Sequence, residues 1–185
     1  MREKSKQQNS LLAVAILMAV ALSCNRQETK SRDVKEATKN LNAAAADLAK
    51  LPSKEQLTTA PYIKGKLVMV RQYPSGAYYV DAFDAGQLGD VYAQTPEEAQ
   101  TVALTVCQRS QKGVYRTDEN PPRELPAFAT DCDVTLIDRS IAAVIFKRRF
   151  EAKLGEKAGG ISTTTEINAY PDYEIRDFLK ALPRK

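Results

Sequence analysis

Cys24, Cys107 and Cys132 are the only thiols of this chain, and no histidine occurs among its 185 residues. That absence removes the commonest general base, the Ser-His-Asp and Cys-His nucleophile systems, and imidazole ligation of zinc or haem. Carboxylate and lysine chemistry needs no imidazole and stays open. Cys107 and Cys132 lie 25 positions apart, each in or beside a β-prone run, and no Cys-x-x-Cys is present. A structural disulfide is the expectation, with free thiols or a redox pair as the alternatives. One conflict of parity accompanies it. Cys132 is in step with Val134 and Leu136, whereas Cys107 is out of step with Val102, Leu104 and Val106, which calls for a bulge or for a bond from a core face to an outer face.

Carboxylates are the other chemically competent groups. Asp81 with Asp84, and Asp131 with Asp133 and Asp138, are close enough in sequence to suggest a calcium site or a two-carboxylate hydrolase. Neither set has the glycine-punctuated spacing of a calcium loop, and Asp131 and Asp133 flank Cys132 as solvent-facing strand residues do. The hydroxyl-rich stretches SGAY and GISTTTE lack the Ser-x-x-Lys and Gly-x-Ser-x-Gly patterns of activated serines. Lys147, Arg148, Arg149, Lys153 and Lys157 form a basic run that suits anionic head groups or an acidic partner, or guards an edge strand by charge. Tyr78 and Tyr79 suit a binding surface or ordinary cross-strand packing. No cofactor or metal site is expected.

The first segment explains the odd cysteine. Arg2, Lys4 and Lys6 precede an uncharged run, Leu11 to Leu22, and the small residue Ser23. Twelve helical residues reach only about 18 Å, against a hydrocarbon core of about 30 Å, so the run suits an export signal better than a permanent span. The residues VALSC, Val20 to Cys24, resemble the lipobox of bacterial lipoproteins. The resemblance covers the signal and its junction alone. It implies that the Cys24 thiol is lipidated, that the chain is cut before it, and that Cys24 begins the mature protein as a membrane anchor. An ordinary secretory signal beside a chance cysteine, or an uncleaved anchor, is the alternative. Asn25 follows the cysteine, and the lack of an aspartate there points to the outer membrane if the cell has one.

Domain limits follow from composition: a signal at 1–23, a tether with an amphipathic helix at 24–60, and one extracytoplasmic domain at 61–185. The chain carries 27 Lys plus Arg and 23 Asp plus Glu, of which the signal holds three basic residues and one acidic residue. The remaining charge is close to neutral and is no nucleic-acid footprint. In the tether, Val34, Ala37, Leu41, Ala44, Leu48 and Leu51 fall at heptad spacing. Such a helix packs on the domain, serves as a spacer, or pairs with an envelope protein.

Past the proline-flanked boundary LPSKEQLTTAP, the periodicity turns to strands. The spacing predicts a hairpin of Leu67 to Arg71 with Ala77 to Phe83 around a Pro-Ser-Gly turn. One helical turn opened by Thr95, Pro96 and Glu98 leads into a strand ending near Cys107 or Arg109, with QKGVYRT returning around Gly113. Glu119 to Phe128, with three prolines, is loop or extended chain. DCDVTLID and AAVIFKRRFEA form a hairpin, Leu154 to Glu166 a loop, and Ile175, Phe178, Leu179 and Leu182 one face of a closing helix. The predicted class is α+β: an antiparallel sheet of about six strands in hairpins, a C-terminal helix packed on it, and a separate N-terminal helix. The functional expectation is a non-enzymatic, membrane-anchored envelope lipoprotein that binds a protein or ligand or serves a structural role. Its rival is a small envelope hydrolase working through carboxylates such as Asp131 and Asp133.

Overall fold

The computed structural model describes residues 34–119, 121–155 and 165–185. The signal, Cys24 and its lipobox, Lys157 and most of the Leu154 to Glu166 loop lie outside the described residues. In chain order the elements are helix α1 (34–43), α2 (Ala45–Leu48), strands β1 (Lys54–Glu55), β2 (Lys66–Gln72) and β3 (Tyr78–Tyr79), and helix α3 (Ala82–Leu88). A 3-10 turn at Gly89–Val91 then leads to β4 (Ala99–Arg116), β5 (Glu124–Asp138), β6 (Ala143–Phe150), β7 (Ile167–Ala169) and helix α4 (Asp172–Ala181).

Among the described residues seven strands form one mixed sheet in the order β1-β6-β5-β4-β2-β3, with β7 beside β5. This corrects the expected all-antiparallel hairpin sheet. β2 runs parallel to β4, β1 parallel to β6 and β7 parallel to β5, while the β4–β5, β5–β6 and β2–β3 pairs are antiparallel. The parallel β2–β4 pair arises because the segment read as a second hairpin strand divides in two. Only Tyr78 and Tyr79 pair with β2. Asp81 then accepts a hydrogen bond from the Phe83 N–H at 2.8 Å and caps α3, which carries the chain over the sheet to the start of β4.

The expected turn at Gly113 is instead a register shift between Gln111 and Gly113 inside one 18-residue strand. Its early part is opened by the predicted turn, in which Thr95 Oγ1 accepts from the Glu98 N–H at 3.4 Å and the Glu98 carboxylate accepts from the Gln94 N–H at 2.9 Å. Residues 124–128 are extended and belong to β5. The Asp138↔Ala143 hairpin stands as predicted, turning with Ala142 at φ 47°.

Burial explains the parity conflict of the cysteines. Thr101, Val102, Ala103, Leu104 and Thr105 are all buried, so the middle of β4 is covered on both faces. Cys107 shares a face with Thr105 and Ala103, and these stand opposite Cys132, Val134 and Leu136. No bulge separates the cysteines from the core, and neither points outward.

Helix α4 packs on this same face: Phe178 lies 5.4 Å from both Phe146 and Phe150 of β6, and Ile175 and Leu179 are fully buried. The N-terminal helix is not separate, a second correction. Leu41, Ala45 and Leu48 join the same core as the sheet, and the Asn42 side-chain amide both donates to the Val80 carbonyl at 2.8 Å and accepts from its N–H at 2.7 Å. A seam at heptad spacing is apolar whether it faces a partner or its own sheet, and here it faces its own core. Among the described residues no helix is long and apolar enough to cross a membrane.

Candidate functional site

Arg71, at the end of β2, organises the region where the chain opens a cleft. Its Nε donates to Asp84 Oδ2 at 2.7 Å and its Nη2 to Oδ1 at 3.1 Å, while Nη1 donates to Asp172 at 2.9 Å. Asp84 also accepts from Arg176 Nη1 at 3.1 Å. One buried carboxylate thus ties β2 to α3 and α4. Burial works to lower the Arg71 guanidinium, and the hydrogen bonds and charges of Asp84 and Asp172 outweigh it, so its titration is raised further beyond reach. The Arg176 guanidinium lies 4.9 Å from the ring centroids of both Phe83 and Tyr173.

Just past Arg71 the chain reaches Tyr73 and turns at Pro74, with the Tyr73 N–H donating to the Ala77 carbonyl at 2.7 Å. The Tyr73 ring stacks on Tyr79 at 3.9 Å. Burial of Tyr79 raises its phenol above the ordinary value. Tyr170, at the entry to α4, is 54% exposed and lines the same cleft. These groups line a cavity of about 240 Å³ together with Cys107 and Cys132. A second hollow of about 520 Å³ shares Gln72, Tyr73, Pro74, Cys107 and Arg109 with it and extends along β4. Arg109 is held in place: its guanidinium lies 3.5 Å from the Phe128 ring centroid, donates to Asn168 Oδ1 at 2.9 and 3.0 Å, and pairs with Glu166 at 2.8 Å.

The cysteine sulfurs are 2.11 Å apart, and the residues face each other directly across β4 and β5. The pair therefore joins two neighbouring strands where the cleft begins.

The carboxylates singled out in the sequence do not converge. Asp81 caps α3, Asp84 binds the two arginines, and Asp138 accepts from the Tyr62 hydroxyl at 2.9 Å and the Ser140 hydroxyl at 2.6 Å. Asp131 and Asp133 share the face opposite the disulfide, where both meet Arg149, at 3.2 and 3.8 Å, and Asp131 meets Lys112 at 3.6 Å. Burial raises the Asp131 titration point, but the hydrogen bond from Arg149 and the Lys112 charge outweigh it, so the carboxyl is held below the usual aspartate value. That is the opposite of what a general acid needs. A hollow of about 300 Å³ beside it is lined by Asp131, Glu151 and Lys112.

The basic run is divided between faces. Lys147 pairs with Glu55 and Arg149 with the aspartates, while Arg148 lies on the α4 side, 4.7 Å from the Phe150 ring centroid and 5.4 Å from that of Phe178. Lys153 is exposed beyond the strand. Among the described residues, no group of three or more Cys, Asp or Glu side chains is arranged to hold a metal ion.

Of the cleft residues, the sequence marks Tyr79 as a surface candidate; Tyr73 and Tyr170, like the strand residues Arg71 and Arg109, are brought to the site by the fold. A signal for Tyr73 and Tyr170 was present: Tyr73-Pro74 and Tyr170-Pro171 repeat one dipeptide, and each delivers its tyrosine to the cleft as the chain leaves a strand. Compared with known proteins, the chain matches no family model, no curated protein and no solved structure.

Proposed function

We propose that this chain is an extracytoplasmic lipoprotein, anchored through Cys24 to the cell envelope and by preference to the outer membrane, whose folded domain is a non-enzymatic binding module. The observation that carries the reading is the cleft between Tyr73, Tyr79 and Tyr170. Tyrosines offer large contact area with a polar tip at small entropic cost, and they are enriched where proteins bind. The buried Asp84 ion pairs and the Cys107–Cys132 link hold its walls before any ligand arrives, so little ordering has to accompany binding. A paired Cys107 and Cys132 also suits an oxidising compartment, in keeping with the lipobox resemblance.

The rival hydrolase finds less support. Its candidate pair, Asp131 and Asp133, stands on the other face of the sheet, neutralised by Arg149. An envelope partner remains part of the proposal, but the seam of α1 and α2 is occupied by the protein's own core and the tyrosine cleft is the better place for contact.

The test uses the full chain in its own cell. Cys24→Ser should move the protein out of the membrane fraction or leave it unprocessed, and unchanged membrane association after correct cleavage would contradict the anchor. Tyr73→Ala combined with Tyr170→Ala should lose a bound envelope component that the parent retains, with an unchanged circular dichroism spectrum. Equal retention by parent and variant would contradict the cleft.

A further inference from the structure

One bond joins Cys107 to Cys132, but the two sulfurs have different surroundings. Cys132 is 1% exposed, and on the side away from Cys107 it faces Phe150 of β6, a buried ring that packs against Phe178 of α4. Cys107 is half-buried, and on the side away from Cys132 no strand pairs with it among the described residues. β2 accompanies β4 as far as Gln72↔Val106 and then turns away through Pro74. The hollow of about 520 Å³ lies at this departure. Its lining combines Cys107 with Tyr73, Pro74 and Gly76, and among the described residues it includes none from β5.

A thiolate attacks a disulfide in line, entering behind one sulfur as the other departs, so access behind each sulfur decides which is attacked. Behind Cys132 stands a packed ring, and behind Cys107 an open hollow. The geometry points to Cys107 as a thiol–disulfide exchange site whose substrate is a thiol entering through this hollow. This goes beyond the binding proposed for the tyrosines, and its test does not depend on that binding.

The entering thiolate forms an S–S bond to Cys107 Sγ while the Cys107–Cys132 bond breaks and its electron pair passes to Cys132 Sγ. Cys132 also lines the smaller cavity, through which its sulfur takes up a proton from solvent. One disulfide replaces another, so no outside oxidant or reductant is consumed. Where the entering molecule carries a second thiol, that thiol attacks the mixed disulfide in turn. Both cysteines are then reduced, and the entering dithiol is oxidised by two electrons. The fold accommodates either state: β4 and β5 pair from Thr101↔Asp138 to Arg116↔Glu124, on both sides of the cysteines, so the strands remain joined when the bond opens.

The experiment exposes the mature, lipidated, oxidised protein in detergent to excess reduced glutathione in one arm and to reduced thioredoxin in the other. Samples are quenched in acid, free thiols are alkylated, and peptide mass mapping locates the products. The glutathione adduct should form on Cys107 at least about tenfold faster than on Cys132. Its rate should be flat in urea below the unfolding transition. Exchange with glutathione alone assigns the site to small thiols, and exchange with thioredoxin alone assigns it to a protein-borne thiol. Exchange in neither arm, adducts on Cys132 equal to those on Cys107, or a rate that climbs with urea in parallel with global unfolding would each overturn the site. Single-cysteine variants check the same asymmetry. The thiol left in Cys132→Ala should react with dithiodipyridine in the folded protein, and the thiol left in Cys107→Ala only on unfolding; equal rates would overturn the assignment of Cys107.

Discussion

Replacing Asp84 with alanine tests the ionic tie that shapes the cleft. The carboxylate is fully buried and accepts three hydrogen bonds, at 2.7, 3.1 and 3.1 Å, from two guanidinium groups whose side chains are 11% and 5% exposed. Without it, among the described residues, Arg71 keeps Asp172 and Arg176 keeps the faces of Phe83 and Tyr173. Removing one partner of a buried ion pair costs about 3–5 kcal/mol because the remaining charge is stranded. Against a total of about 5–15 kcal/mol for a domain, that is a large fraction. Asp84→Asn should fall toward the lower end of the same range, since one amide oxygen still accepts while the NH₂ group faces a second donor. The assay is equilibrium unfolding in urea with the disulfide intact. Taking m as about 2 kcal/mol/M, the midpoint of Asp84→Ala should fall by roughly 1.5–2.5 M with m unchanged. The triple variant Arg71→Met, Asp84→Leu, Arg176→Met should recover much of the loss, because an apolar core of similar volume removes the desolvation cost. Losses under about 1 kcal/mol for both single variants, below the range for a broken buried pair, would refute the argument that this network holds β2, α3 and α4 together.

Reducing the Cys107–Cys132 pair, or replacing both cysteines with alanine, should lower stability by roughly 3.5 kcal/mol by the loop-closure estimate for its 25-residue separation, read as the difference between oxidised and reduced urea curves. Leu41→Ala should cost about 2–5 kcal/mol in the same assay, the range for a buried leucine; a cost near zero would return α1 to a free spacer. For Asp131, the lowered folded-state titration point means its stabilisation is present above the ordinary aspartate value and is lost as pH falls through the lowered one. The stability difference between the parent and Asp131→Asn should therefore be constant near neutrality and shrink in acid, measured by urea unfolding across that range.

Elements set by local pattern were legible in the sequence. Ile175, Phe178, Leu179 and Leu182 recur at helical spacing next to Pro171 and Pro183, and the β5–β6 hairpin has its turn residues between two alternating runs. What escaped reading depended on contacts distant in sequence. Helix α3 is only seven residues long with Gly86 inside it, and it follows a β-prone YYV, so its cap at Asp81 passed for a strand position. The far half of β4 reads as a strand, but Gly113 among polar neighbours reads as a turn, and only the long pairing with β5 keeps both halves in one strand. Parallel pairing of β2 with β4 followed from neither periodicity nor turn chemistry. The disulfide partners could be named from the residues, because both lie in β-prone runs of one domain and the lipobox resemblance sets Cys24 apart as an expected anchor. The cleft could not, since Tyr73 and Tyr170 are far apart in sequence and meet only when α4 packs against the sheet.

Photo-crosslinking in the living cell tests the central claim most directly. Benzoylphenylalanine placed at Tyr73 or Tyr170, in the otherwise unaltered anchored protein, should yield a discrete adduct with an envelope component under illumination. The same probe at Leu57, which is 60% exposed next to β1 at the opposite edge of the sheet, should not yield that adduct. Adducts at Leu57 equal to those at Tyr73 and Tyr170, or none at either tyrosine, would contradict the cleft as the binding site.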